Sequence, residues 1–290
     1  MGNLVDYPTA TCTKALLIGD SGTGKTGALL SLAKARYNLR ILDFDAGLDI
    51  LANLAKGDTA TLNRIRYITC TDVMRSVAGK VFPVSATAWP KAMDALTDWK
   101  DGAEPTLGPV ASWGPKDILV IDSLNFAGKA ATRLMQQING RLAVFPIWTD
   151  YGDAQKLVES MCAMLFSETI KCNVLVLSHV REVGKKQTRI NEKGQVQTYE
   201  EEGTRKGYAE TGTGSALSPT IGRYFNAVLL ADIVGSGQSS RRIIRTVPHE
   251  NIGLKNPAPG IVKSEYPLAT GLAEYFAAVR GESGVAPQVK

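Results

Sequence analysis

Residues 14–26 read KALLIGDSGTGKT, and this stretch decides the fold. The apolar run Lys14–Ile18 (KALLI) has the length and composition of a strand buried on both faces. Gly19 to Thr26 (GDSGTGKT) fills every position of the GxxxxGK[ST] phosphate-loop pattern. Thr26–Arg36, with Leu29, Leu30, Leu32 and Ala33 on one side, then has helical spacing. Strand, glycine loop and helix in that order are the context the pattern requires. Gly22 and Gly24 free the backbone to curl, so that successive N–H groups point inward at phosphate oxygens. The helix adds its positive N-terminal end. The stretch therefore predicts a nucleotide site made by Gly19, Asp20, Ser21, Gly22, Thr23, Gly24, Lys25, Thr26 and Gly27. Lys25 is placed to reach the β- and γ-phosphates, and Thr26 to offer its hydroxyl to magnesium. ATP and Mg2+ are the expected cofactors.

Outward from this loop, strands and helices alternate. Leu39–Phe44 (LRILDF) reads as a strand, Ala46–Lys56 as a short helix, Arg66–Cys70 as a third strand and Trp89–Trp99 as a helix. Residues 101–116, rich in glycine and proline, read as an irregular connection. Asp117–Ile121 (DILVI) is a buried strand, followed by helices at 124–138 and 151–167 and by the buried strand Asn173–Leu177. Such alternation predicts βαβ units and a mostly parallel sheet with helices on both faces. From Val183 to Thr213 the chain is polar and glycine-rich, and reads as a long mobile loop. Ser218–Phe225 is expected to be helical. Ala227–Ile233 and Arg242–Val247 are expected as antiparallel additions to the sheet, and Ala269–Val279 as a closing helix. No repeat or linker separates two cores, so residues 1–290 are expected to form one domain.

Composition excludes several classes. With 44% apolar and 21% charged residues the chain is neither disordered nor collagen-like. No window approaches the roughly 18 apolar residues of a membrane span. Cys12, Cys70, Cys162 and Cys172 lie far apart and only two histidines are present, which argues against a structural zinc site. A soluble protein of the cytoplasm is the expectation, with no membrane partner. The net charge of +5 is spread along the chain and does not by itself choose a partner.

Two further elements bear on the nucleotide. Asp122 closes the apolar strand DILVID and projects from the sheet's carboxyl edge, where open α/β sheets bind ligands. It is the natural magnesium-side carboxylate. Its neighbour is Ser123 rather than a glutamate, so a water-orienting carboxylate has to come from elsewhere. In LDFDAG, Asp43 and Asp45 lie two apart and are expected to point the same way. Asp45, nearer the loop, is the favoured of the two.

These motifs together resemble the RecA-type ATPase core. LRILDFDAG is similar to the RecA segment carrying the catalytic glutamate, with Asp45 in its place, and ILVIDSLNFAG resembles the RecA Walker B strand. VLVLSHV puts His179 near the position of RecA's γ-phosphate-sensing glutamine. GDSGTGKTGALLSLA, LRILDFDAGLDIL, NVLVLSHVRE and IGRYFNAVLLADI look like the compact RecA-like ATPases of tailed bacteriophages, a group that includes the Sak-type single-strand annealing proteins. If the chain is of phage origin, its cytoplasm is the host's.

The resemblance implies an ATPase that acts on single-stranded DNA and self-associates into a ring or filament with the ATP site between subunits. It also implies that the loop 183–213 contacts DNA, with Lys185, Lys186 and Arg189 as the phosphate contacts. IGLKNPAPG looks like the segment that supplies a cation to a neighbouring subunit, through Lys255. Segment 57–116 has no RecA counterpart and is expected to be an insertion or a family-variable part. Two rival readings need no nucleic acid: an NTPase switch or small kinase, and a non-hydrolysing module in which ATP locks an oligomer.

Overall fold

The computed structural model describes residues 12–102, 106–184, 186–190, 196–200 and 206–282. In chain order the elements are β1 (Lys14–Ile18), α1 (Lys25–Lys34), β2 (Asn38–Asp43), α2 (Asp49–Leu54), α3 (Thr59–Leu62), β3 (Ile65–Thr69), β4 (Val73–Val77), β5 (Lys80–Ser85) and α4 (Ala88–Thr97). Then follow β6 (Asp117–Asp122), α5 (Leu124–Ile138), α6 (Trp148–Leu165), β7 (Asn173–Ser178), β8 (Val180–Val183), β9 (Lys186–Ile190), β10 (Val196–Glu200) and β11 (Lys206–Ala209). The chain closes with α7 (Ser218–Ile221), β12 (Ala227–Val234), β13 (Arg241–Arg245), β14 (Glu265–Pro267) and α8 (Leu268–Val279).

One eight-stranded sheet carries the fold, in the order β14-β13-β12-β1-β7-β6-β2-β3. The six strands from β12 to β3 run parallel. β13 is antiparallel to both β12 and β14. Period-two alternation splits the core into two layers. Ala15 and Leu17 of β1 join Leu29 and Leu32 of α1 and Tyr275 and Phe276 of α8 on one face. Leu16 and Ile18 join α4, α5 and α6 on the other. This is the RecA-like arrangement of a mostly parallel sheet between helices, with antiparallel strands added near the C-terminus.

Two sequence expectations need correction. Ala227–Ile233 was expected to be antiparallel, yet β12 pairs in parallel with β1, Leu16 opposite Val228. An apolar run shows burial but carries no sign of strand direction. The expected loop 183–213 contains strands: β9 and β10 form one antiparallel ribbon, and β11 returns to pair with β8. Segment 57–116 contributes to the main sheet and to the core beside it. β3 extends the main sheet, and Trp89, Trp99 and Trp113 are buried in the layer under α4. Trp99 and Trp113 meet edge to face at 5.4 Å, and each indole N–H finds an oxygen, Asp101 Oδ2 and the Leu107 carbonyl, both at 3.0 Å. Among the described residues, no helix is long and apolar enough to cross a membrane.

Candidate functional site

The carboxyl ends of the parallel strands bring the site together. Register pairs Ile18 of β1 with Ser178 of β7, Ile121 of β6 with Val176, and Asp122 with Asp43 of β2. The residues just beyond these ends, Gly19, His179, Ser123 and Phe44, therefore share one edge of the sheet. Because β7 lies between β1 and β6, His179 leaves the sheet between the phosphate loop and Asp122. A cleft of about 750 Å³ opens here, with Lys25, Thr26, Asp45, Asp122 and His179 in its lining.

The loop has the conformation its glycines were expected to provide. Gly22 and Gly24 adopt φ of 81° and 93°, in the left-handed region. Thr23 turns back on Asp20, its hydroxyl donating to the Asp20 carbonyl at 2.9 Å. Gly24 is the N-cap of α1, and a Cβ there would collide with Leu268, 2.6 Å away. Ser21, Gly22, Gly24 and Gly27 line the cleft, whereas Gly19 packs against the backbone of Ala231. The Lys25 ammonium is folded onto the loop, donating to the carbonyls of Gly19 at 2.8 Å and Asp20 at 3.0 Å. Burial holds its pKa below the usual lysine value, against the opposing pull of Asp122.

Opposite stands Asp122, 2% exposed, whose Oδ2 accepts the Thr26 hydroxyl at 2.8 Å. Burial, and then the charge of Asp45, push this carboxyl up to about 7. Two hard oxygens in contact, one of them on a buried carboxyl, suit a magnesium ion completed by phosphate and water. Asp122 binds a proton more tightly in the folded protein than in the unfolded chain, so its contribution to stability falls as pH rises between 3.8 and about 7. A bound cation must displace that proton. Mg2+ affinity in the presence of ATP should therefore rise between pH 6 and 8, and Asp122→Asn should flatten this dependence in a titration followed by calorimetry.

Asp43 and Asp45 are placed differently. β2 ends at Asp43, which is 3% exposed and accepts the Ala46 N–H at 2.9 Å, closing the turn that leaves the sheet. Burial, and then Asp45, raise the Asp43 pKa. Asp45 lies past the strand end, partly exposed and lining the cleft. His179 is half-buried there, and burial together with Lys25 lowers its pKa, so the ring is neutral at pH 7. A neutral imidazole can donate one N–H to a phosphate oxygen.

Lys255 is not brought to this cleft. It pairs with Val228 through backbone bonds of 2.8 and 3.1 Å, and its ammonium donates to the Phe225 carbonyl at 2.7 Å. Phe225 precedes β12, at the edge of the sheet opposite the phosphate loop. Of the three cations expected to touch DNA, Lys186 and Arg189 lie on β9 and Lys185 lies outside the described residues.

The sequence reading missed the other walls of the cleft. Ile50 and Leu54 of α2, 41% and 56% exposed, come up beside Gly27. Arg242 of β13 and Leu268 at the start of α8 come up beside Gly24. Arg242 is exposed, and its Cδ would lie 3.3 Å from a Cβ at Gly24. No motif announces it, because its place depends on β13 returning antiparallel beside β12. A guanidinium here can engage a phosphate or the face of a base. Arg242→Ala should raise the KM for ATP about tenfold, the cost of one charge-assisted contact, with a smaller change in kcat. Steady-state turnover measures both.

Phosphate loop, magnesium-side carboxylate and mostly parallel sheet define a RecA-like P-loop ATPase. The chain belongs to the family described as AAA domain, whose model matches residues 11–258. Comparison with curated proteins returns no significant match. Similar solved structures include the flagellar accessory protein FlaH from Methanocaldococcus jannaschii, at 11% identity and a TM-score of 0.41 over 89% of this chain and 88% of that one. The RadB recombinase matches at 11% identity and 0.38, over 82% and 81%. A KaiC-like protein from Pyrococcus horikoshii matches at 13% and 0.37, over 80% and 78%.

Proposed function

We propose that this ATPase works on single-stranded DNA as a self-assembling subunit, in recombination, annealing or replication of the kind carried out by the Sak-type phage proteins it resembles. In this reading Lys25 and His179 bind the γ-phosphate, Thr26 and Asp122 hold the magnesium that neutralises phosphate charge, and Asp45 orients the attacking water. Ser123, following Asp122, has no carboxylate to offer for that last role. Lys255, held at the opposite edge of its own sheet, could serve only a neighbour's site.

The observation that carries the DNA reading is how the β8–β11 segment is tied to the cleft. Glu210 N–H donates to the His179 carbonyl at 2.8 Å, and the Ser178 hydroxyl donates to the Glu210 carbonyl at 2.7 Å. Beyond Glu210, the backbone of Thr211 and Gly212 presses on α5 at Gly128 and Asn125, too closely for a side chain at either glycine. A ligand on the ribbon and a phosphate at His179 thus act on one connected piece of backbone. ATP turnover with and without oligo(dT) tests the reading. Stimulation of several-fold is expected, with a gel shift that strengthens in ATP. Turnover indifferent to DNA, with no shift, would leave an NTPase whose partner is not nucleic acid.

A further inference from the structure

We infer that a second copy of this chain docks its Trp148 into the pocket formed between β1, β12 and α7. The contact deepens the self-assembly proposed above and rests on it.

The pocket has a volume of about 450 Å³, and Leu16, Ile18, Val228 and Leu254 give it apolar walls. Ser218 also lines it. That residue is 1% exposed, and its hydroxyl has no hydrogen-bond partner among the described residues. A buried hydroxyl without a partner costs free energy, so the pocket suits an apolar group that carries one polar hydrogen.

Another part of the chain supplies that group. Trp148, the first residue of α6, is 91% exposed, and Phe145 is 92% exposed. The other three tryptophans, Trp89, Trp99 and Trp113, are all buried. An indole is a large apolar body with a single N–H, which normally finds an acceptor once buried. Seated in the pocket, it matches the apolar walls and can give Ser218 its missing partner.

The occupant has to be another copy. Glu159 of α6 pairs with Arg223 at the pocket lining, 3.0 Å apart. Trp148 lies eleven residues earlier on the same helix, about 16 Å away by helical rise. It cannot fold back into its own pocket. The area also suits association. Two aromatic side chains bury about 300–500 Å². The exposed Ile138 and Ile147 beside them add towards the roughly 800 Å² per partner of a standard interface. Donor and acceptor surfaces differ, so the contact is heterologous and can propagate or close into a ring.

Sedimentation velocity over a micromolar concentration series, with and without ATP and oligo(dT), tests the contact. Trp148→Ala removes the knob. Gly253→Phe fills the pocket mouth from a position where a Cβ meets nothing within 4 Å, so this variant should fold. Each should weaken self-association by about 30-fold or more. An equimolar mixture should recover a 1:1 heterodimer, since each variant keeps one intact half. Trp148 is the one exposed tryptophan, so wild-type emission should shift to the blue on assembly. Wild-type strength of association in both variants overturns the contact while self-assembly stands. A wild type that stays monomeric under every condition overturns both. Quenching of Trp148 by oligo(dT), with assembly unchanged in both variants, assigns the side chain to DNA and overturns the contact as well.

Discussion

Lys25→Ala should abolish ATP turnover, by at least about 100-fold, the loss seen when one preorganised charge donor is removed from a developing anion. The folded protein should hardly notice. In the absence of nucleotide the Lys25 ammonium is buried, its pKa lowered by that burial, and it sits beside the N-terminus of α1, where a positive charge opposes the helix dipole. Its two backbone acceptors are the carbonyls of Gly19 and Asp20, and Lys25 itself lines the open cleft, so water entering the space the side chain vacates can replace it. Losing two hydrogen bonds and an unfavourably placed cation should nearly cancel. The melting temperature should move by no more than the about 2–4 °C that ~1 kcal/mol produces in a domain of this size. Saturating ATP should raise the wild-type melting temperature by mass action and raise that of the variant less. Turnover at the wild-type rate in Lys25→Ala would remove the nucleotide from this cleft.

The parts of the site that the sequence displays are those whose chemistry is local. GDSGTGKT shows itself because a curled phosphate loop needs glycines at fixed offsets, and Gly22 and Gly24 take the left-handed angles this implies. DILVID and NVLVLS show themselves because strands buried on both faces are apolar throughout. What stayed hidden depends on relations between distant segments. KQTRI and VQTYE pair as β9 and β10, but sequences this polar have no apolar alternation to separate them from a loop. The parallel direction of β12 is set by the connection that precedes it and not by AVLLADIV itself. Arg242 enters the cleft only because β13 returns beside β12. Helix α6 begins at Trp148, three residues before its expected start. The exposed aromatic there breaks the apolar periodicity that would have marked it.

The two carboxylates after β2 should separate cleanly. Asp45→Asn should retain ATP binding and lose turnover by about 10²–10⁴-fold, the range for removing a general base. Asp45 lies beyond the strand end, in the lining of the same cleft as Lys25 and Asp122. Its Oδ1 accepts a 3.2 Å bond from the Gly47 N–H, and the partly exposed side chain lines the cleft where water enters. Asp43 is placed differently. One of its oxygens holds the Ala46 N–H at 2.9 Å, and the residue is buried at the strand end. An asparagine keeps that acceptor, so Asp43→Asn should turn over ATP within about threefold of wild type. Asp43→Ala should lose the bond that closes the turn and cost about 1 kcal/mol of stability, the usual net contribution of one hydrogen bond. Asp45 also raises the Asp122 pKa by its charge. Neutralising it should therefore bring the Asp122 pKa down and move the pH dependence of Mg2+ binding to lower pH, even as hydrolysis stops. Binding and turnover should thus separate in Asp45→Asn. A fully active Asp45→Asn beside an inactive Asp43→Asn would transfer the water-orienting role to the buried carboxylate.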